Sequence, residues 1–120
     1  MSHVLILGTG GTIAGTASDT GRSWAYRAAQ LSVEQLVDAV PELAACALAT
    51  RQVAQIDSKD MGWATWQALG QAVEGAMADE ATSAIVITHG TDTLEETACL
   101  LHALHDGRKP IVLTAAMRPA

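Results

Sequence analysis

Short apolar runs alternate along the chain with longer stretches in which apolar residues return every three or four positions. The runs fall at residues 4–7 (VLIL), 84–88 (AIVIT) and 111–114 (IVLT), and a weaker one covers about 51–56 (RQVAQI). Uninterrupted apolar runs of about four to eight residues are typical of strands buried on both faces, as in a parallel sheet. The pattern therefore predicts four strands.

The stretches between the runs predict three amphipathic helices. The first follows Ser32, whose spacing from Gln35 fits a capping box, and the second covers about 63–77. The third begins at Thr93, which stands at the same capping-box spacing from Glu96. The order βαβαβαβ predicts one α/β domain with a doubly wound parallel sheet.

Composition and charge narrow the class of ligand. The 120 residues are 49% hydrophobic and 17% charged, which suits a packed globular core, and the formal net charge is −6. The chain has no cluster of Lys and Arg, so it lacks the basic surface that nucleic acid or an anionic membrane would need. No apolar run reaches transmembrane length. The expected partner is therefore a small molecule, with no nucleic acid and no membrane.

The N-terminus and the cysteines bear on the cellular compartment. The first eight residues (MSHVLILG) lack the basic start and the long apolar run of a signal peptide. Cys46 and Cys99 are expected to be reduced thiols buried in the core. The cytoplasm is the expected compartment, and the periplasm is the alternative if a leader was removed before residue 1.

Polar residues follow three of the predicted strands. A glycine-rich loop is expected from Gly8 to about Gln30, and it carries Thr12. Ser58 follows the second strand, and Thr91 comes soon after the third, with Asp92 next to it. Loops after parallel strands emerge at one edge of the sheet, where ligands bind in open α/β folds. We therefore expect these polar residues to meet in one pocket.

The sequence does not favour a nucleotide or a metal. Residues 8–15 (GTGGTIAG) lack the third glycine of the dinucleotide fingerprint and the lysine of a phosphate-binding loop. The histidines do not form a metal-ligand pattern, because His102 and His105, although three residues apart, are expected on an exposed helix face. No cofactor and no metal are expected.

A hydroxyl nucleophile fits the first loop better. The glycines before Thr12 would let the backbone approach a ligand closely, and their N–H groups would be free for a carboxylate or an oxyanion. Thr12 is expected to be exposed there, and a neighbouring base must activate its hydroxyl. Tyr26, or Thr91 together with a lysine, are candidates for that base. The alternative is that Thr12 and Thr91 only stabilise turns or helix ends.

Four segments carry a resemblance to a known family. They are 9–15 (TGGTIAG), 57–61 (DSKDM), 89–98 (HGTDTLEETA) and 115–119 (AAMRP). Together they resemble the N-terminal part of the bacterial L-asparaginases, which are threonine-dependent amidohydrolases. The resemblance extends in register over essentially the whole chain, and the four segments in combination are specific.

The resemblance implies roles for individual residues. Thr12 resembles the nucleophile that attacks the side-chain amide carbon, Tyr26 resembles the tyrosine of a mobile lid, and Thr91 resembles the second catalytic threonine. Asp92 resembles the partner of the substrate's α-ammonium group, and Lys59 stands where many relatives carry Gln. The substrate-binding residues that the resemblance implies are Gly11, Ser58, Lys59, Asp92 and Ala116.

The resemblance also implies a longer protein. Members of the family carry a catalytic lysine further along the chain and a second domain that completes a neighbour's active site, which implies a homo-oligomer. We expect residues 1–120 to be the incomplete N-terminal α/β domain, with the C-terminal domain absent. The expected reaction converts L-asparagine and water to L-aspartate and ammonia. The alternatives are a dual glutaminase–asparaginase, a non-catalytic amino-acid-binding fragment without the lysine, and an amidotransferase subunit, which the lack of a basic surface disfavours.

Overall fold

The computed structural model of the protein describes residues 2–17 and 26–120. Three short 3₁₀ helices, Thr12–Ala14, Pro41–Ala45 and Ser58–Asp60, join the longer elements in this part of the chain. The longer elements are β1 (His3–Gly10), β2 (Thr16–Ala17), β3 (Tyr26–Arg27), α1 (Val33–Asp38), β4 (Leu48–Ile56), α2 (Trp63–Ala78), β5 (Thr82–Thr88), α3 (Leu94–Leu104) and β6 (Ile111–Thr114).

Four parallel strands form the main sheet, in the order β4-β1-β5-β6. The N-terminal strand lies inside the sheet, where Leu5 pairs with Ala49 of β4 on one side and with Ile85 of β5 on the other. The short strands β2 and β3 pair antiparallel beside it. This topology confirms the predicted α/β fold, and the strand order reverses direction at β1, which is where such sheets bind ligands.

Helices cover both faces of the sheet. On one face, α2 and α3 pack on a buried cluster that includes Leu7, Leu69, Val73, Ile85, Ile87 and Leu101. On the other face, α1 approaches β1 so closely that a Cβ on Gly8 would lie 2.7 Å from the Cβ of Val33. The apolar strand runs are therefore buried from both sides in the centre of the sheet, as their lack of alternation predicts.

Three strands extend beyond their predicted bounds: β4 begins at Leu48 instead of about residue 51, β5 begins at Thr82 instead of residue 84, and β1 ends later than predicted. β1 does not end at residue 7 but continues to Gly10, because its pairing with β4 resumes at Ile56 after a register shift. The loop predicted from Gly8 therefore begins later. Helix α1 is only six residues long, since Pro41, which has no N–H to donate, starts a 3₁₀ helix close behind it.

The two predicted capping boxes have different outcomes. At α1, the Ser32 hydroxyl accepts a hydrogen bond from the backbone N–H of Gln35, and the Gln35 side chain accepts one from the backbone N–H of Ser32. That prediction is confirmed. At α3 it is wrong, because the Thr93 hydroxyl donates to the backbone oxygen of Ser58 at 2.9 Å instead of capping its own helix. A tertiary contact has replaced the local one.

The cysteines are free, as expected, but they are not in the core. Cys46 and Cys99 are both exposed. Cys46 directly follows a 3₁₀ helix that buries none of its residues, and Cys99 lies on α3, where Thr97 and Leu101 are the buried positions. No helix in residues 2–17 and 26–120 is long and apolar enough to cross a membrane.

Candidate active site at the carboxyl edge of the sheet

The loops after β1 and β5 touch through their glycines. A Cβ placed on Gly11 would lie 2.6 Å from the Cα of Gly90, so the two backbones pack with no room for a side chain. Gly11 has φ 81° and ψ −173°, a conformation that is essentially restricted to glycine. Its N–H donates to the backbone oxygen of Ile56 at 2.9 Å, so the expectation of a free N–H is wrong at this residue.

Thr12 begins the 3₁₀ turn that follows this contact. Only 8% of it is exposed, so the exposed position expected from sequence is wrong. Later parts of the chain cover the turn: the N–H of Ala29 donates to the oxygen of Gly11 at 3.0 Å, and the N–H of Leu31 donates to that of Ala14 at 2.9 Å. A residue so enclosed can be held in one orientation, which suits a nucleophile that must meet a bound substrate.

Ser58 joins the loop after β4 to the loop after β5. It is 3% exposed, and its hydroxyl oxygen accepts a hydrogen bond from the backbone N–H of Asp92 at 3.0 Å. Its own backbone oxygen accepts the hydroxyl of Thr93. A serine hydroxyl that serves as acceptor for one group still has a proton to donate. The geometry therefore leaves Ser58 able to donate to a carboxylate.

Thr91 and Asp92 are both exposed at this edge, directly before α3. Asp92 directly precedes Thr93, the N-cap residue of α3, and helix N-termini favour nearby negative charge. A charged carboxylate next to a hydroxyl is suited to an amino-acid ligand, because it can pair with an ammonium group. The predicted convergence of the loops carrying Thr12, Ser58 and Asp92 is thus seen in the contacts around Gly90.

The two lysines of the chain are both engaged outside this cluster. The Lys59 ammonium lies 3.3 Å from both carboxylate oxygens of Asp60, and the Lys59 side chain is 65% exposed. The Lys109 ammonium donates to the backbone oxygens of Ala76 and Asp79 beyond the other end of the sheet. The structure therefore places the Lys59 charge in a solvent-exposed ion pair, and its contact with a substrate stays a prediction.

Tyr26 and Ala116 are the two remaining predicted site residues. Tyr26 forms a backbone pair with Ala17 in the small antiparallel sheet, while residues 24 and 25 of the predicted lid lie outside the described residues. Ala116 is half-buried in the segment after β6, which turns back so that the N–H of Ala120 donates to the oxygen of Gly15 at 3.0 Å. Their roles in the site stay predictions.

His89 is a residue whose importance the sequence alone does not reveal. It is fully buried directly behind Gly90 and Thr91, and both of its ring nitrogens have hydrogen-bond partners. Its position at the end of a strand, inside a polar segment, is the only signal that the sequence offers. Among the described residues, no group of three or more His, Cys, Asp or Glu side chains could hold a metal ion.

Comparisons with known proteins identify the family of this chain. The family described as "Asparaginase, N-terminal" matches residues 3–120. A protein named "Probable L-asparaginase periplasmic" from Haemophilus influenzae is 44% identical over 121 residues, which cover 100% of this chain and 34% of that protein. A "Glutaminase-asparaginase" from Pseudomonas fluorescens biotype A is 42% identical over 120 residues, which cover 99% of this chain and 33% of that protein.

A solved structure gives the same result for the fold. The crystal structure of a "Probable Cytoplasmic L-asparaginase" from Campylobacter jejuni superposes with a TM-score of 0.93 at 41% identity, covering 99% of this chain and 36% of that one. The chain thus spans about a third of the length of the relatives it matches. The family match over residues 3–120, together with the fold and the sheet-edge cluster, shows that this chain belongs to the asparaginase N-terminal family.

Proposed function

We propose that the complete protein hydrolyses L-asparagine with water to L-aspartate and ammonia, using Thr12 as the nucleophile. The observation that carries this proposal is the contact between the Gly11–Thr12 turn and the Gly90–Thr91 segment, with Ser58 joined to the same loop. This arrangement gathers the hydroxyls of Thr12, Ser58 and Thr91 and the carboxylate of Asp92 at the ligand-binding edge of the sheet. The reaction needs no cofactor.

The chemistry is a double displacement. The Thr12 oxygen attacks the amide carbon, the C–N bond breaks, and the proton that Thr12 gives up leaves with the nitrogen as ammonia. Water then attacks the resulting ester: its oxygen completes the aspartate carboxylate, one of its protons restores the Thr12 hydroxyl, and the other is released. Thr12 needs a base to accept its proton, and we assign this role to Tyr26, or to Thr91 together with a lysine that the complete protein supplies.

Substrate recognition follows from charge. In this proposal Ser58 donates its hydroxyl proton to the substrate α-carboxylate, while Gly11 and Ala116 line the space beside it. Asp92 pairs with the α-ammonium group, and Lys59 adds a positive charge near the carboxylate when it leaves its pair with Asp60. A carboxylate held by a serine hydroxyl and an ammonium held by an aspartate together select a free α-amino acid.

A glutaminase–asparaginase is the second candidate, because relatives with that name match this chain at 42% and 43% identity. Glutamine is longer by one methylene, which discriminates by only about 10–200-fold in a pocket. We further propose a cytoplasmic homo-oligomer, on the family resemblance and on the similarity to a protein named as cytoplasmic.

The experiment compares Thr12→Ala with Thr12→Ser in the complete protein encoded by the gene, with ammonia release from asparagine and from glutamine as the measurement. Loss of a nucleophile lowers kcat by about 10⁴–10⁶-fold, whereas serine keeps a hydroxyl and should retain measurable turnover. Thr65→Ala, on α2, serves as the matched control. A protein that binds asparagine but releases no ammonia would be an amino-acid-binding module instead.

A further inference from the structure

A chain of buried hydrogen bonds lies directly behind Thr91. The indole Nε1–H of Trp66 donates to the hydroxyl oxygen of Thr97 at 2.8 Å, and that oxygen lies 2.8 Å from Nε2 of His89. Nδ1 of His89 is 2.7 Å from the backbone oxygen of Gly90. His89 and Thr97 are both 0% exposed, so the protein itself satisfies these polar groups.

For a neutral imidazole, the chemistry of the two end groups fixes the direction of every bond. An indole N–H can only donate, and a carbonyl oxygen can only accept. The His89 Nδ1 must therefore carry a proton and donate it to the Gly90 oxygen. The Thr97 hydroxyl accepts from Trp66 and donates its own proton to Nε2 of His89. With this tautomer of His89, each of the three contacts has one donor and one acceptor.

The last bond determines how the Gly90–Thr91 peptide is oriented. In a trans peptide the C=O and the following N–H point in opposite directions, and the described part of the chain contains no cis peptide. Because the Gly90 oxygen is turned inward to His89, the N–H of Thr91 is turned away from it. Gly90 also packs against Gly11, so this peptide lies next to the turn that carries Thr12.

The chain of bonds reaches the site from outside it. Trp66 belongs to α2, Thr97 belongs to α3, and His89 directly follows β5, so residues from three parts of the fold contribute to one peptide's orientation. Apolar side chains could fill this space without needing hydrogen-bond partners. Polar side chains in the same place are costly unless every buried polar group has a partner. The presence of polar groups at His89, Thr97 and Trp66 therefore indicates a role beyond filling the core.

We propose that His89, Thr97 and Trp66 are positioning residues, which orient the Gly90–Thr91 peptide for the step at Thr12. This inference rests on the proposed function and adds a set of residues to it. None of the three touches substrate in this assignment. They act through the Gly90 carbonyl, so they affect the rate of the chemical step more than the affinity for substrate.

The test uses two substitutions of His89 in the complete protein. In His89→Asn the side-chain amide can replace Nδ1–H and keep the bond to Gly90, whereas in His89→Gln it replaces Nε2 and keeps only the contact with Thr97. We expect kcat for asparagine to fall on the order of 10²-fold in the Gln variant, the size of effect that a small misplacement causes, and much less in the Asn variant. KM should change little in both.

A purely structural role predicts the opposite order. Glutamine is closer to histidine in volume, so a packing residue would tolerate Gln better than Asn. An equal kcat in the two variants, or a higher kcat in His89→Gln, would overturn the inference. Melting temperatures of both variants serve to separate loss of positioning from loss of the fold.

Two substitutions of Thr97 provide an independent test. Thr97→Ser keeps the hydroxyl and should keep most of kcat, while Thr97→Val, which keeps the shape, should lose it. Thr65→Val on α2 is the control for removing a threonine hydroxyl elsewhere. A Thr97→Val enzyme with the parent's kcat would remove Thr97 from the chain.

Crystal structures of the complete His89→Asn and His89→Gln proteins decide the inference even without turnover. The Gly90–Thr91 peptide should keep its orientation in the Asn variant and change it in the Gln variant. The same orientation in both would contradict the inference. If instead the parent protein does not hydrolyse asparagine, the proposed function fails, and the two crystal structures still report whether His89 orients the peptide.

Discussion

The hydroxyl oxygen of Ser58 lies 3.0 Å from the backbone nitrogen of Asp92 and accepts its hydrogen bond. The two residues are 34 positions apart in sequence, and they follow β4 and β5, which are separated in the sheet by β1. Their contact therefore passes over the end of β1, where the Gly11–Thr12 turn begins. This bond links the loops after β4 and β5, and the packing of Gly11 against Gly90 brings the loop after β1 to the same place.

Asp92→Asn should weaken substrate binding without unfolding the protein. The backbone N–H that bonds to Ser58 is unchanged by this substitution, while the negative charge opposite the α-ammonium is lost. We expect the Kd for L-aspartate to rise on the order of 10–100-fold, as for loss of one member of a paired charge, with a similar melting temperature. Isothermal titration calorimetry measures it, and Glu95→Gln, which removes an exposed carboxylate from the first turn of α3, is the control. Unchanged affinity would show that Asp92 does not bind the ligand.

Gly90→Ala should damage both stability and activity. A Cβ at this position would lie 2.6 Å from the Cβ of Ser58, so the loops must move apart. Overpacking of this kind costs about 1–3 kcal/mol, which chemical denaturation would detect. Gly70→Ala is the matched control, since a Cβ there meets nothing within 4 Å on α2 and should stabilise the helix by about 0.5–1 kcal/mol. Parent-like stability in Gly90→Ala would mean that the loops adapt freely.

The 120-residue chain studied by itself should be a poor enzyme. Its only lysines are Lys59 and Lys109, and both ammonium groups are engaged elsewhere in the structure. β6 is the last strand in the described sheet and its Val112 is 54% exposed, and an unpaired strand edge favours self-association. We expect ammonia release from asparagine barely above background and concentration-dependent aggregation by light scattering. Robust turnover that depends on Thr12 would show that neither a further lysine nor further chain is required.

Acid stability should depend on Asp79, at the other end of the sheet. Hydrogen bonds from the backbone N–H of Ala81 and from the hydroxyl of Thr82 lower the pKa of its carboxyl group below the ordinary value. A lowered folded-state pKa stabilises the protein above the unfolded value, which is about 3.9, and this stabilisation is lost as the pH falls through the folded-state pKa. Asp79→Asn should therefore have a lower melting temperature near neutral pH and a smaller loss on acidification. An unchanged acid limb of the stability curve would contradict this.

The sequence could predict the elements whose signals are local. The apolar runs of β1 and β5 determine these strands because both lie in the centre of the sheet and are buried from both sides, and Ser32 and Gln35 form their capping box through local contacts. Thr93 has the same spacing but a distant partner, Ser58, and no local pattern reveals such a choice. The sequence pattern also could not predict the burial of Thr12, since the turn around Thr12 is covered by the segment around Ala29, which hydrogen-bonds to it.

The candidate site likewise has features that the sequence predicts and features that it does not. The sheet edge where Ser58, Asp92 and Gly11 meet follows from strand order alone, because parallel strands bring their loops to one side. The direction of the Lys59 side chain toward Asp60, and the bonds that join Trp66 to His89, depend on rotamers within the folded protein. These contacts leave no periodic trace in the sequence.

The central position of β1 has a consequence for synthesis. His3 at the start of this strand pairs with Thr82, so its second neighbour is made long after it. At ribosomal rates of about 5–20 residues per second, the apolar run of β1 waits roughly 4–16 s for β5 to be synthesised. Until then one edge of an apolar strand is open to other chains. Among the four strands of the main sheet, β1 therefore waits longest for its second neighbour during synthesis.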